Sequence, residues 1–393
     1  MVFKPTRGDL PARFGPGVPN VPPIGPSILG ADVYRDPQRY DVERSLILNR
    51  SWQIICRSSQ LPNPGDYHVW DGNGESVVIT RRNDGGLAGF HNVCQHRGAR
   101  IVPENGTGAR RFTCRWHNWA YDIEGRVTGV PDRPDFDRAV LTDLCSPAVQ
   151  LDEWAGWVWA VLAGPGVAEP LLDWLGTELT DELGAFRMQD MNLVETVVWE
   201  VDVNWKVCVD AFSEYYHAQA LHQLPAADVK DARHATMDVF GRHGMMVVPL
   251  MGVLDELRRT LDHTALAICN YNVFPTAVFN CHNMHTQLFR AVPLSVNRTR
   301  FEAWELQYPA GDEDEEYTDF AELLWEGLKA VIRQDVDEWV DVAAVAGSSA
   351  YQQNILSDRE CLITHFHRVC DDMLAGGSGL GLEPDRATAL PPR

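Results

Sequence analysis

Two short stretches decide how this chain is read: "CQHRGAR" (Cys94–Arg100) and "CRWHNWAYD" (Cys114–Asp122). Each joins a cysteine to a histidine, as Cys94-x-His96 and Cys114-x-x-His117, with seventeen residues between the pairs. Two thiolates and two imidazoles on two short loops can close around a metal centre. A structural zinc site draws on the same four donors, but zinc-finger spacing puts both cysteines ahead of both histidines. Here each pair is mixed.

Mixed pairs suit a Rieske [2Fe–2S] cluster, in which two histidines replace two cysteines on one of the irons. Cys94 and Cys114 then take one iron, and His96 and His117 the other. Neutral imidazoles in place of thiolates raise the reduction potential, so the cluster serves as a mild electron relay.

The surroundings fit a small antiparallel β domain. From about residue 52 to 162, strand-like runs such as "DYHVWD", "SVVITRR" and "WAGWVWAVLAG" alternate with the turn signals "DGNG" and "NDGG". Before it, "QRYDVERSLILNRSWQII" reads as a helix running into a strand, and "GPGVAEP" (164–170) as an exit linker. Beyond that, "MNLVETVVWEVDVNW", "ALAICNYNVFPTAVFNC", "MHTQLFRAVPL" and "RTRFEAWELQYP" are strand-like, while "VCVDAFSEYYHAQALHQL" and "FAELLWEGLKAVIRQDVDEWVDVAAVAG" are helical. The expected fold class is α+β. The expected organisation is an N-terminal arm and helix over 1–44 packing on the catalytic domain, the β domain over 45–163, a catalytic domain over 164–374 and a mobile tail over 375–393.

Composition narrows the function classes. The chain has 393 residues, 45% of them hydrophobic, and a net charge of -21. Such a polyanion repels nucleic acid and anionic membranes. No apolar run reaches the length of a membrane span. The Pro- and Gly-rich start has no signal-peptide pattern, and the nine cysteines read as buried hydrophobes or ligands, so a reducing cytoplasm is expected. The acidic run "GDEDEEYTD" (311–319) reads as a solvated loop.

A second constellation lies in "NWKVCVDAFSEYYHAQALH" (Asn204–His222), which holds Asp210, Glu214, Tyr216, His217 and His222. On a helix Glu214 and His217 share a face. His217 and His222 would stand about 140° apart, so both reach one metal only if the helix ends, bends or bulges between them. A carboxylate to complete the set is sought in "AVIRQDVDEWVDVAAV" (330–345). Val331, Asp335 and Trp339 form one stripe, beside Ile332, Val336, Val340 and Ala343. Arg333, Asp337 and Asp341 form a polar one. Asp335 is therefore the acid bordering the buried face, with Asp337 as the alternative.

The motifs "CQHRGA" and "CRWHNWAYD" together with the NWK…E-x-x-H-x-x-x-x-H stretch resemble the α subunits of Rieske non-heme iron oxygenases of the aromatic-ring-hydroxylating type. Two departures stand out: Asn118 where the family usually has glycine, and Ala211 where many members have asparagine. The resemblance spans about Pro37 to Arg368. It implies a Rieske domain followed by a helix-grip (Bet v1-like) domain with a large antiparallel sheet. It implies that His217, His222 and Asp335 hold a mononuclear Fe(II), and that Glu214 bridges this site to a Rieske histidine of a neighbouring subunit in a homotrimer (α3β3 being possible). Asp210 and Tyr216 join Glu214 as candidate catalytic residues.

The function this implies is that of a terminal oxygenase component. It takes electrons and O2 to hydroxylate a small apolar, aromatic substrate, with cis-dihydroxylation first and monooxygenation or oxidative N- or O-demethylation second. A Rieske electron carrier and a zinc-stabilised binding protein are more distant alternatives. The chain carries no nicotinamide or flavin motif, so a separate ferredoxin or NAD(P)H-dependent reductase is expected. Arg97, Arg100, Arg110, Arg111 and Arg115 are candidates for the patch that docks it.

Overall fold

The computed structural model describes residues 24–222, 230–231, 234–260, 263–282, 285–309 and 315–379. The arm over 1–23, the acidic run up to 314 and the tail from 380 lie outside the described residues. The chain divides into two compact units, Leu48–Trp174 and the segment ending at Ile47 together with that starting at Leu175.

The Leu48–Trp174 unit is built from nine strands in three small antiparallel sheets. Gln53–Arg57 (β1), Trp157–Val161 (β9) and Gln150–Trp154 (β8) make the first, in the order β1-β9-β8. Tyr67–Gly72 (β2), Glu75–Arg81 (β3) and Leu87–His91 (β4) make the second. Phe112–Thr113 (β5), Ala120–Tyr121 (β6) and Val127–Gly129 (β7) make the third. Asn73 and Gly74 join β2 to β3 with φ of 55° and 77°, the left-handed pair that a two-residue hairpin needs. Val78, Phe90, Ile101, Phe112, Trp119 and Tyr121 form a core that also contains Cys94 and Cys114.

This unit continues past the expected boundary at 163. The Trp52 indole N–H donates to the Glu169 carbonyl at 3.0 Å, and the Gln150 amide donates to the Ala168 carbonyl at 3.1 Å. The linker is thus hydrogen-bonded onto the β unit, which ends only at Trp174.

The second unit centres on a seven-stranded antiparallel sheet. Its strands are Asn192–Val201 (β10), Thr236–Phe240 (β11), His243–Pro249 (β12), Ala267–Val273 (β13), Ala277–Cys281 (β14), His285–Ser295 (β15) and Arg298–Gln307 (β16), in the order β10-β16-β15-β14-β13-β12-β11. Strands β11 and β12 were not among the expected ones. Nor was the helix Cys361–Leu374, whose Leu362, Phe366, Val369 and Cys370 are buried.

The long helix spans Glu315–Val345. The end of the acidic run is therefore helical rather than loop. Val331, Ile332, Asp335, Val336 and Trp339 are buried on it, with Trp339 set edge-on to Phe301 of β16 at 5.0 Å. Val340 departs from the expected stripe: it is 62% exposed, because the buried face stops at Trp339.

The helix Trp205–Ala211 starts at Asn204, whose side chain caps it by accepting from the Lys206 N–H. Lys206 and Glu43 are both fully buried and form an ion pair, and Arg39 adds a 2.8 Å contact to Glu43. Burial pushes the Lys206 ammonium down and Glu43 opposes this. Replacing one partner of such a pair leaves the other uncompensated. Lys206→Met is expected to cost about 3 kcal/mol in urea unfolding, the lower end of the range for a buried pair, since Arg39 still faces Glu43. An unchanged midpoint would show that the pair adds nothing.

Candidate metal centres

The two Cys/His stretches form a matched pair of loops. In the first, the Gly98 N–H donates to the Cys94 carbonyl at 2.9 Å and the Cys94 N–H to the Ala99 carbonyl at 2.7 Å. In the second, the Asn118 N–H donates to the Cys114 carbonyl at 2.9 Å and the Cys114 N–H to the Trp119 carbonyl at 2.8 Å. Gly98 and Asn118 occupy the same place, and both are left-handed, with φ of 72° and 59°. Asparagine tolerates that region better than most side chains, which explains how Asn118 can stand in for a glycine.

The loops bring His96 and His117 together, with ring centroids 4.5 Å apart. His96 stacks on Trp119 at 5.0 Å, and its buried Nδ1 has no hydrogen-bond partner. An orphaned buried imidazole nitrogen is costly unless a ligand engages the ring. Desolvation, then His96 and Arg97, lower the pKa of His117, which favours the neutral form that binds metal. The Tyr121 hydroxyl donates to Cys94 Sγ at 3.1 Å and accepts from the Gln95 N–H at 2.9 Å. Two buried thiols and two neighbouring imidazoles fit a [2Fe–2S] group. The outer face of the loops is open: Trp116 is 54% exposed beneath the Arg97 guanidinium at 4.4 Å. All five candidate arginines are exposed, with Arg100 paired to Asp71 at 2.9 Å.

The second group of donors lies past the helix Trp205–Ala211. Glu214 is not helical. It sits in the turn before a single helical turn, Ala218–Leu221, which His217 opens and His222 closes. Its carboxylate accepts the backbone N–H groups of Tyr216 and His217 through Oε2, and Oε1 contacts His217 Nδ1. Because that turn ends at His222, the two imidazoles can face each other, with centroids 5.1 Å apart.

Asp335 Oδ1 lies 3.5 Å from His217 Nε2 and 3.3 Å from His222 Nε2. The other nitrogen of each ring is already engaged, His217 Nδ1 by Glu214 and His222 Nδ1 by Gln334 Oε1 at 3.1 Å. Two acceptors on the Nδ1 side favour the Nδ1–H tautomers, leaving both Nε2 lone pairs and a carboxylate aimed at one point. Such a set suits a cation, and two histidines with one carboxylate suit non-heme Fe(II). Asp337 is not part of it. Its side chain is 58% exposed and pairs with Arg333 at 2.9 Å.

The family described as "Rieske [2Fe-2S] domain" matches residues 51–144, and that described as "Ring hydroxylating alpha subunit (catalytic domain)" matches 188–376. The chain belongs to the Rieske oxygenase α-subunit family. Among its relatives, the biphenyl dioxygenase subunit alpha of Metapseudomonas furukawaii is 30% identical over 211 residues, 50% of this chain and 45% of that protein. The carnitine monooxygenase oxygenase subunit of Escherichia coli (strain K12) is 29% identical over 198 residues, 49% and 51% respectively. The chain thus spans about half the length of the curated relatives it matches.

The fold is shared over more of the chain. A crystal structure of a quaternary ammonium Rieske monooxygenase with L-carnitine superposes with a TM-score of 0.74 at 21% identity, covering 89% of this chain and 96% of that one. Naphthalene 1,2-dioxygenase from Rhodococcus sp. bound to indole gives 0.71 at 20%, covering 88% and 94%.

Two cavities flank the converging side chains of His217, His222 and Asp335. An open one of about 660 Å³ is lined by Tyr34, Asp210, Glu214, His217, Asp335 and Tyr351 among others. Asp210 does not reach the three converging donors. It accepts from the Tyr34 hydroxyl at 2.6 Å and lies 3.0 Å from His367 Nε2. Desolvation, then the Asp210 charge, holds Tyr34 well above the usual phenol range, so it stays a neutral donor. Tyr216 lends only its backbone: its side chain is 63% exposed and lines neither cavity. Sequence reading missed Tyr34 and His367. The amphipathic run "CLITHFHRVC" was the available signal for His367. No helix among the described residues is long and apolar enough to cross a membrane.

Proposed function

We propose that this chain is the terminal oxygenase of a multicomponent system, oxidising an organic substrate with O2 and electrons from a separate ferredoxin or NAD(P)H-dependent reductase. One observation carries the reading: His217, His222 and Asp335 aim three lone pairs at one point while both remaining imidazole nitrogens are occupied. These three residues would hold an iron, which would supply the O2-activating chemistry of a two-histidine, one-carboxylate site. Glu214 and Gln334 fix the two ring orientations, as carboxylate and amide partners of metal-bound histidines do. Cys94, His96, Cys114 and His117 hold the relay cluster, and the exposed arginines around it offer a docking rim for an acidic donor.

Glu214 is the candidate link between the two centres. It touches His217 and lines the open cavity, and in the proposed trimer it would meet His117 of a neighbouring copy. Aromatic dihydroxylation is the preferred reaction, supported by Phe212 and Phe289 beside the metal-binding group. Monooxygenation or oxidative demethylation is the alternative, because relatives of both kinds match.

The purified protein should be brown and carry about three irons per chain, two for the cluster and one more. Two irons would indicate a carrier, and a colourless zinc protein would overturn the reading. His96→Cys is expected to lower the cluster potential, since a charged thiolate replaces a neutral ligand. A redox titration followed by EPR checks this, and an unmoved potential would remove His96 from the ligand set.

A further inference from the structure

The second cavity is small, about 30 Å³, and all three metal-binding residues line it. It has room for about one water. Its polar lining consists largely of acceptors. Asn270 and Asn280, register partners across β13 and β14, are only 2% and 6% exposed, and each has a buried side-chain oxygen with no hydrogen-bond partner. Glu214 and Asp335 add carboxylates, and Phe212, Tyr215 and Phe289 add aromatic rings. Orphaned buried acceptors are costly and call for a donor. The carboxylates and ring faces favour a positively charged one. The volume limits it to the size of a water. A primary ammonium meets all three conditions, being compact, with three N–H donors and no acceptor.

Lys230 brings such a group to the cavity wall. Its backbone is fixed by a bridge to Leu250, and the Asp231 N–H next to it donates to the Pro249 carbonyl at 2.8 Å. Lys230 Nζ stands 5.2 Å from the Tyr215 ring centroid. A flexible four-carbon stem lets it turn from that ring to the two asparagines while the backbone stays in place. His282 does not compete for the seat. Desolvation, then His285 and Lys230, push its imidazole down to about 3, so it stays neutral.

We propose that Lys230 is a catalytic proton donor, its ammonium seated on the Asn270 and Asn280 oxygens with the remaining N–H directed at the metal-binding group. The role rests on the oxygenase reading, and the seat does not. Putting one atom of O2 into a C–H bond with two electrons from the separate donor consumes two protons and releases one water. Lys230 supplies one of these protons. Its Nζ–H bond breaks as an O–H bond forms, and the neutral amine takes a proton back from solvent. The two acceptors hold the donor in position beforehand, so it need not reorient as charge develops on oxygen.

Nitric oxide added to the full-length, iron-loaded protein tests this without turnover. It stands in for O2, and in D2O its EPR signal on the iron carries the coupling of an exchangeable deuteron close by. That coupling is expected in the wild type and should vanish in Lys230→Met, which fills the same space without a donor. Lys230→Ala should leave the seat open to methylammonium, and isotopically labelled methylammonium should then couple to the signal in this variant but not in the wild type. O2-driven discharge of the pre-reduced cluster should slow by about 100-fold or more in Lys230→Met, the lower end of what a general acid contributes. A coupling that survives Lys230→Met, methylammonium that enters the wild type or fails to enter Lys230→Ala, or an unchanged discharge rate would overturn the proposal.

The visible spectrum and iron content report whether each variant is folded. If Lys230→Met is not, Asn280→Leu carries the same test: it removes one acceptor, unseats the ammonium and should also lose the deuteron coupling. The two readings fail separately. A wild-type protein that gives no nitric oxide signal and does not discharge into O2 sinks the oxygenase, while calorimetric binding of methylammonium to Lys230→Ala still decides the seat. Normal discharge in Lys230→Met does the reverse.

Discussion

Asp335→Ala is expected to empty the mononuclear site and abolish product formation while leaving the visible spectrum of the Rieske cluster intact. Asp335 is 4% exposed, and its Oδ1 lies 3.3 to 3.5 Å from both imidazole Nε2 atoms. Removing it leaves two imidazoles, too few to hold a divalent ion against buffer. Losing a partner of a ligand typically costs about 10- to 100-fold in affinity or activity, and losing the ligand itself should exceed that. The neighbouring Asp337→Ala is the control, because its carboxylate pairs with Arg333 on the exposed face. Iron analysis and EPR of both variants decide the matter. A depleted Asp337→Ala, or a fully loaded Asp335→Ala, would reverse the ligand assignment.

Glu214→Gln should largely keep its iron and still accept electrons into the cluster from a chemical reductant, yet yield little product. The wild-type carboxylate takes two backbone N–H groups on one oxygen and the His217 ring on the other. An amide of the same shape can accept only through its one oxygen, so either the turn or the ring loses an acceptor. It also removes the negative charge beside the His217 ring. A loss of about 10- to 100-fold is expected for a residue orienting one metal ligand, and a larger one for a link that also passes electrons between subunits. Single-turnover yield from pre-reduced protein is the measurement. Wild-type yield and rate would mean that Glu214 merely shapes the turn, whereas a reduced cluster that fails to discharge into product would support the link.

The cluster site was legible because its geometry is local. Each loop runs only six residues from its cysteine, closes on its own backbone, and turns on a left-handed residue, Gly98 or Asn118. His217 and His222 were legible for the same reason: one helical turn separates them. Asp335 lies more than a hundred residues further on, yet helical periodicity marked it, since a 3.6-residue repeat places it with Val331 and Trp339 on the buried stripe. The same periodicity failed at Val340, where the packed face ends although the helix continues.

Tertiary structure alone decided the rest. Glu214 reads as a helical residue by spacing, but its carboxylate competes for backbone N–H groups and makes a turn instead. Asn270 and Asn280 become neighbours through the register of two strands, and Tyr34 reaches Asp210 and His367 across more than 150 and 300 residues of chain. Ligand spacing within one loop or turn is set by local backbone geometry and can be read along the chain. The polar lining of a cavity depends on which distant strands pair and in what register, and that is settled only when the whole sheet packs.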